Sequence, residues 1–174
     1  MRDKTLYVRW LRNMNQNQAV RVDRELLLEF FLTFARAEFA LKNSGFVTGG
    51  EDSALPHWDK FANTIKDQFK KNKTKELEAA VDYIMLNPPM KQVLRDGSLM
   101  WEANLPNDGM PETQVLFVLV RRIRNNLFHG GKHNLEVFED TERTTQLLRS
   151  ALLIVQESVS VLPNVKAAYD QAAI

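Results

Sequence analysis

Residues 111–131 read PETQVLFVLVRRIRNNLFHGG. Pro111 suits the first turn of a helix, and the apolar residues that follow have the three- and four-residue spacing of a buried helix face. These apolar residues are Val115, Leu116, Leu119 and Ile123. Gly130 and Gly131 would end the helix. The stretch therefore predicts a core helix with a cluster of polar residues at its C-terminal end.

Helical periodicity also dominates the rest of the chain. Further helices are predicted from Asp23, a good N-cap, to about Asn43; from Pro56, capped by Ser53 or the acids before it, to about Lys70; from Thr74 to Leu86; and over about 20 residues after Asp140. Pro163 would end the last of these, and a short tail helix would follow. Residues 45–55 are predicted to form a loop, and residues 90–110 carry several turn signals.

Each predicted helix has an apolar face. In the first helix it is formed by Leu27, Phe30, Phe31, Phe34 and Leu41. In the second helix it is formed by Trp58, Phe61, Ile65 and Phe69, and in the third by Leu77, Val81 and Ile84. In the fifth helix it is formed by Leu148, Ala151, Leu152, Val155 and Val159. The predicted fold class is all-α, a bundle of about five main helices with a short C-terminal helix.

Composition limits the possible functions. The chain has 174 residues, of which 44% are apolar and 26% charged, which is typical of one folded domain. We predict this domain over residues 23–174 and an arm or tail over residues 1–22. The net charge of +1 argues against a protein that coats nucleic acid, and the absence of cysteine excludes disulfides and thiolate chemistry. No apolar run is long enough for a membrane span, so the expected location is the cytoplasm.

A local positive patch stands out on this nearly neutral chain. It contains Arg121, Arg122, Arg124, Lys132 and two histidines, His129 and His133, and no acid occurs between Glu112 and Glu136. One interpretation is a solvated helix end, because cations near a helix C-terminus are favoured by the helix dipole.

The spacing of the polar residues in this patch indicates which of them could act together in a reaction. On a regular helix Asn125 and His129 lie one turn apart on one face, and Arg122 points close to the same direction. Arg124 is rotated from His129 by roughly 140°. Histidine can transfer a proton near neutral pH, and the planar arginine fork matches phosphate oxygens. Such a set could drive the attack of an RNA 2′-hydroxyl on the adjacent phosphorus without a metal ion.

No metal or other cofactor is predicted. His129 and His133 have the spacing of a two-histidine metal pair, but Gly130 and Gly131 between them interrupt the helix that this spacing requires. No carboxylates cluster beside them in the sequence.

The sequence Arg124-Asn125-Asn126-Leu127-Phe128-His129 resembles the signature of the HEPN superfamily, in which four to six residues, the first of them polar, separate an arginine from a histidine. The first helix, around residues 30–42, also resembles the opening helix of a HEPN subgroup associated with bacteria and plasmids. The resemblance covers roughly residues 23–162. It implies a helical bundle that forms a homodimer, with two motifs sharing one cleft.

The resemblance implies a metal-independent endoribonuclease, of the kind found in toxin–antitoxin and phage-defence systems, with RNA as substrate and an antitoxin protein as a possible partner. Arg124 and His129 would be catalytic, with Asn125 as their polar partner; Arg122 also satisfies the looser spacing and remains an alternative to Arg124. Arg121, Asn126 and Lys132 would support RNA binding. Two other functions stay open: a non-catalytic module that binds RNA or a nucleotide, and a purely structural helical domain.

Glu38 is the remaining candidate. It falls on the apolar stripe of the first helix, where a charge is costly unless it is paired. One expectation is an ion pair with an arginine of the fourth helix, which would hold that arginine in place; the resemblance implies a polar or acidic residue here. The other is that Glu38 lies at the edge of the stripe and reaches solvent.

Overall fold

The computed structural model describes residues 22–103, 106, 109–128 and 141–172. The helices in these ranges are α1 (Arg24–Asn43), α2 (Trp58–Ile65), α3 (Lys75–Leu86), α4 (Glu112–Phe128), α5 (Thr141–Val159) and α6 (Pro163–Gln171). The strands are β1 (Val47–Gly50), β2 (Ser53–Pro56), β3 (Lys91–Arg95) and β4 (Ser98–Glu102). A short 3₁₀ helix covers Lys71–Lys73. The predicted arm lies outside the described residues except for Val22.

The predicted caps at the starts of α1 and α3 are confirmed. The Asp23 carboxylate accepts a hydrogen bond from the Glu25 backbone N–H at 2.9 Å. The Thr74 hydroxyl accepts one from the Leu77 N–H at 3.1 Å. Each satisfies a backbone donor that has no partner within its own helix. The predicted start of α4 near Pro111 is also confirmed. The short tail helix predicted to follow the fifth helix is α6, which begins at Pro163 itself.

The predicted all-α class is confirmed in part: helices dominate the described residues, but two small antiparallel sheets interrupt them, so the fold is not strictly all-α. Residues 47–55, predicted as loop, form the hairpin β1–β2 together with Pro56, and residues 91–102 form the hairpin β3–β4. Asp96 and Gly97 connect β3 to β4 with φ angles of 48° and 77°. Positive φ at both central residues is the requirement of the tight turn that matches strand twist.

The predicted second helix is partly wrong. Pro56 ends β2 instead of opening the helix, and Ser53 lies at the start of that strand. His57 caps α2, with its Nδ1 accepting a hydrogen bond from the Lys60 N–H at 3.2 Å. The helix then ends at Ile65 instead of near Lys70, and Phe69 is only partly buried.

One hydrophobic core joins all six helices. In α1 the buried face is shifted from the prediction: Phe30, Phe34 and Leu41 are buried, whereas Leu27 and Phe31 are only partly covered. Leu26, Ala37 and Ala40 complete this face. The apolar faces predicted for α3, α4 and α5 are confirmed. Within the described ranges, no helix is both long enough and apolar enough to cross a bilayer.

Candidate functional site

The C-terminal half of α4 faces α1 through an ion pair between Arg124 and Glu38. The Nη2 atom of Arg124 lies 3.9 Å from Oε2 of Glu38, and the two side chains are 31% and 26% exposed. The Glu38 carboxylate also accepts a hydrogen bond from the Trp58 indole N–H, at a long 3.5 Å. Of the two expectations for Glu38, the ion pair with an arginine of the fourth helix is therefore the one observed.

Aromatic rings surround the Arg124 guanidinium. Its carbon lies 4.8 Å from the centre of the Phe128 ring and 5.7 Å from that of Phe34, both within the range of cation–π attraction. Phe128 in turn packs edge-to-face on Phe31, with ring centres 4.6 Å apart. The rings hold the guanidinium on its apolar faces, so its orientation is fixed by more than the ion pair.

The Arg124 guanidinium has more N–H donors than the described residues use. Its Nη1 donates to the Asn125 side-chain oxygen at 3.0 Å, and this is the one hydrogen bond of its guanidinium to any described residue. A guanidinium carries five N–H donors in a planar fork. Because part of the side chain reaches the surface, the remaining donors could contact the oxygens of a phosphate.

Arg122 has a different environment. Its Nη1 donates to the backbone carbonyl of Pro89 at 3.1 Å. Burial lowers the pKa of this guanidinium from its ordinary value. On the same side, Asn126 donates to the Met90 carbonyl at 2.9 Å, and Arg143 of α5 donates to the Pro88 carbonyl at 3.0 Å. These side chains fix the segment between α3 and β3.

Arg121 is also engaged. Its Nη2 lies 2.8 Å from the Asp59 carboxylate in the first turn of α2, and its Nε donates to the Phe117 carbonyl at 3.3 Å. The pairing with Asp59 offsets its charge at the surface. The patch predicted from the sequence is thus divided: Arg121 and Arg122 hold other elements, while Arg124 and Asn125 lie together beside α1.

His129 and Lys132 lie outside the described residues, so the predicted pairing of Arg124 with His129 stays a prediction. Where the structure describes the chain, no cluster of three histidine, cysteine or acidic residues is arranged to hold a metal ion.

Sequence reasoning missed the aromatic residues of the site. Phe31, Phe34 and Glu38 recur on one face of α1, and Phe128 follows Arg124 by one helical turn. This spacing could have indicated from the sequence that these residues share a face with the polar residues of the site. Trp58 was assigned only to the core, and its hydrogen bond to Glu38 depends on the packing of α2 across α1.

Comparisons with known proteins give no relative for this chain: no family model, no curated protein and no solved structure matches it.

Proposed function

We propose that this protein is a metal-independent endoribonuclease of the HEPN type that cleaves single-stranded RNA. The observation that carries the proposal is the placement of Arg124. It is partly exposed at the C-terminal end of α4, five positions before His129, and is held by Glu38 and two phenylalanine rings. A positioned, partly exposed arginine can stabilise the charge that develops on phosphate oxygens in a reaction that uses no metal ion.

The proposed reaction assigns one role to each residue. His129 takes the proton of the RNA 2′-hydroxyl, and the 2′-oxygen bonds to the adjacent phosphorus. The bond from phosphorus to the 5′-oxygen breaks, and that oxygen receives a proton from the histidine of a second motif or from water. Arg124 stabilises the charge on the phosphate oxygens, and Asn125 orients the arginine. The products are a 2′,3′-cyclic phosphate and a 5′-hydroxyl.

The proposal includes a homodimer in which two motifs share one cleft. We place the protein in the cytoplasm, in a toxin–antitoxin or phage-defence system with an antitoxin protein as partner. Sedimentation at micromolar concentration tests the dimer. A species that stays monomeric while it cleaves RNA would exclude the shared cleft.

The decisive experiment incubates the purified protein with single-stranded RNA in excess EDTA. We expect cleavage that survives chelation, leaves 2′,3′-cyclic phosphate ends and is lost in His129→Ala and Arg124→Ala. Arg149→Ala is the matched control, because Arg149 is an exposed arginine on the middle of α5. Cleavage that persists in the His129 variant at the wild-type rate would refute the proposal.

One observation favours the alternative, a non-catalytic module that binds RNA or a nucleotide. The Glu38 carboxylate faces the guanidinium and offsets its charge, which would weaken the stabilisation of a transition state. In that case no cleavage occurs, and micromolar binding of RNA or nucleotide is lost in Arg124→Ala. A structural domain would show neither cleavage nor binding.

A further inference from the structure

Phe128 is a large apolar side chain at the surface, directly beside the candidate site. It is 60% exposed although it lies on the last turn of a core helix. One part of its ring contacts Phe31 edge-to-face, with an interplanar angle of 74°, and the Arg124 guanidinium lies 4.8 Å from its centre. The ring is therefore supported by two neighbours while most of its surface faces outward.

This arrangement suits a nucleobase. Proteins bind unpaired bases by stacking them on aromatic side chains, because every base presents a π face, while cations hold the backbone between them. Phe128 and Arg124 provide these two elements one helical turn apart. The contacts with Phe31 and Arg124 restrict the ring before any ligand arrives, so stacking would cost little additional ordering.

The chemistry also distinguishes Phe128 from other exposed apolar residues. Phe39 is 43% exposed on α1, yet no described ring or guanidinium packs against it. Leu28 and Leu32 are exposed on the same helix but offer no π surface. Among the described residues, Phe128 alone combines an exposed ring with contact to the guanidinium of the candidate site.

We propose that Phe128 forms a base-stacking subsite, which accepts an unpaired base next to the phosphate held by Arg124. The substrate class is therefore RNA with a flexible, unstacked nucleotide at the cleaved position, and a continuous duplex is excluded because its bases are already stacked. This inference rests on the proposed function for the identity of the ligand.

The test measures binding separately from cleavage. Fluorescence anisotropy with the His129→Ala protein compares a short labelled single-stranded RNA with a ribose-phosphate oligomer of the same length that lacks all bases. Each is titrated against Phe128→Leu, Phe128→Tyr and the matched control Phe39→Leu. Phe128→Leu keeps an apolar side chain, and Phe128→Tyr keeps the ring.

We expect Phe128→Leu to weaken binding of the RNA by about 5- to 150-fold, the range of one base–aromatic contact. Binding of the baseless oligomer should weaken by a smaller factor, because it loses only the support that the Phe128 ring gives to Arg124. Phe128→Tyr and Phe39→Leu should bind RNA like the parent. An equal loss for both oligomers, an equal loss in Phe128→Tyr, or no loss at all would overturn the subsite.

The same titrations separate this inference from the proposed function. Wild-type protein that does not cleave RNA, together with ring-dependent binding, refutes the nuclease and supports the subsite. Cleavage that depends on His129 and Arg124, together with RNA binding that is unchanged in Phe128→Leu, supports the nuclease and overturns the subsite.

Discussion

Arg122 and Arg124 are two positions apart, and their side chains contact different parts of the molecule. Arg122 donates to the carbonyl of Pro89, and Arg124 pairs with Glu38 on α1. Two residues advance a helix by about 200°, which places the side chains on nearly opposite faces. Under the proposed function, these contacts support Arg124 over Arg122 as the arginine of the site.

Substitution of the two arginines should lower the free energy of unfolding by different amounts. Arg122→Met leaves a part-buried carbonyl without its donor and should lower the free energy of unfolding by about 1–3 kcal/mol. Arg124→Met breaks a partly exposed, long ion pair and should cost below about 1 kcal/mol. Urea unfolding followed by circular dichroism measures both values.

Cleavage assays should show the reverse order. Arg124→Met should lose cleavage while folded, and Arg122→Met should retain it under conditions where the variant is folded. Loss of cleavage in folded Arg122→Met, with retention in Arg124→Met, would identify Arg122 as the functional arginine.

At the scale of single elements, α3 depends on its N-terminal cap. Lys71–Lys73 and the turn before α3 leave Thr74 extended, with φ near −136°, so that its hydroxyl reaches the Leu77 N–H. Glu76 and Glu78 in the first turn add favourable charge at the positive end of the helix dipole. The start of α3 is thus specified by side chains that can be recognised in the sequence.

Removing this cap gives a direct prediction. Thr74→Ala should lower the free energy of unfolding by about 1 kcal/mol, because the Leu77 N–H loses its acceptor. Thr74→Ser keeps the hydroxyl and should stay within about 0.5 kcal/mol of the parent. Thermal unfolding of the three proteins measures the difference, and equal losses in both variants would contradict the assignment of the cap.

The helices were predictable and the hairpins were missed for physical reasons. Long helices repeat their apolar face over several turns, whereas β1 and β2 have four residues each and no apolar alternation. The hairpin needs glycine at position 49, because a Cβ there would lie 2.2 Å from the Ser53 carbonyl oxygen. In the sequence, however, a glycine at this position is equally typical of a loop. For β3–β4 a signal existed: Asp-Gly is a favoured hairpin turn.

The site was predictable in its polar residues and less so in its surroundings. Arg124, Asn125 and Glu38 stand out by charge and position in the sequence. The different contacts of Arg122 and Arg124 depend partly on Pro89 and Met90, which lie against α4 although they are distant in the sequence. No spacing within α4 indicates that contact.

At the scale of the whole molecule, an aromatic cluster joins the helices that carry the site. Trp58 of α2 stacks on Phe34 of α1 at 5.1 Å and packs on Phe117 of α4 at 5.2 Å between ring centres. Phe61 packs on Phe117 at 5.6 Å and is fully buried. The distance between Glu38 and Arg124 is therefore set by rings in the core.

Substitution of a core phenylalanine should lower the stability of the protein much more than substitution of an exposed one. Phe61→Ala should lower the free energy of unfolding by about 3–5 kcal/mol, a large part of the total for a domain of this size. Phe39→Ala, at an exposed phenylalanine, should cost within about 0.5 kcal/mol. Denaturant midpoints measure both, and similar losses would contradict the described core.

The two hairpins have a consequence for the protein in concentrated solution. Each sheet has two strands, so every described strand has one side on which its backbone groups meet no other described strand. In β3–β4 the directly paired Leu94 and Leu99 are each 67% exposed. Open edges beside apolar side chains are templates for strand addition between molecules. Among the described residues, this hairpin is therefore the place where self-association through shared sheets would begin.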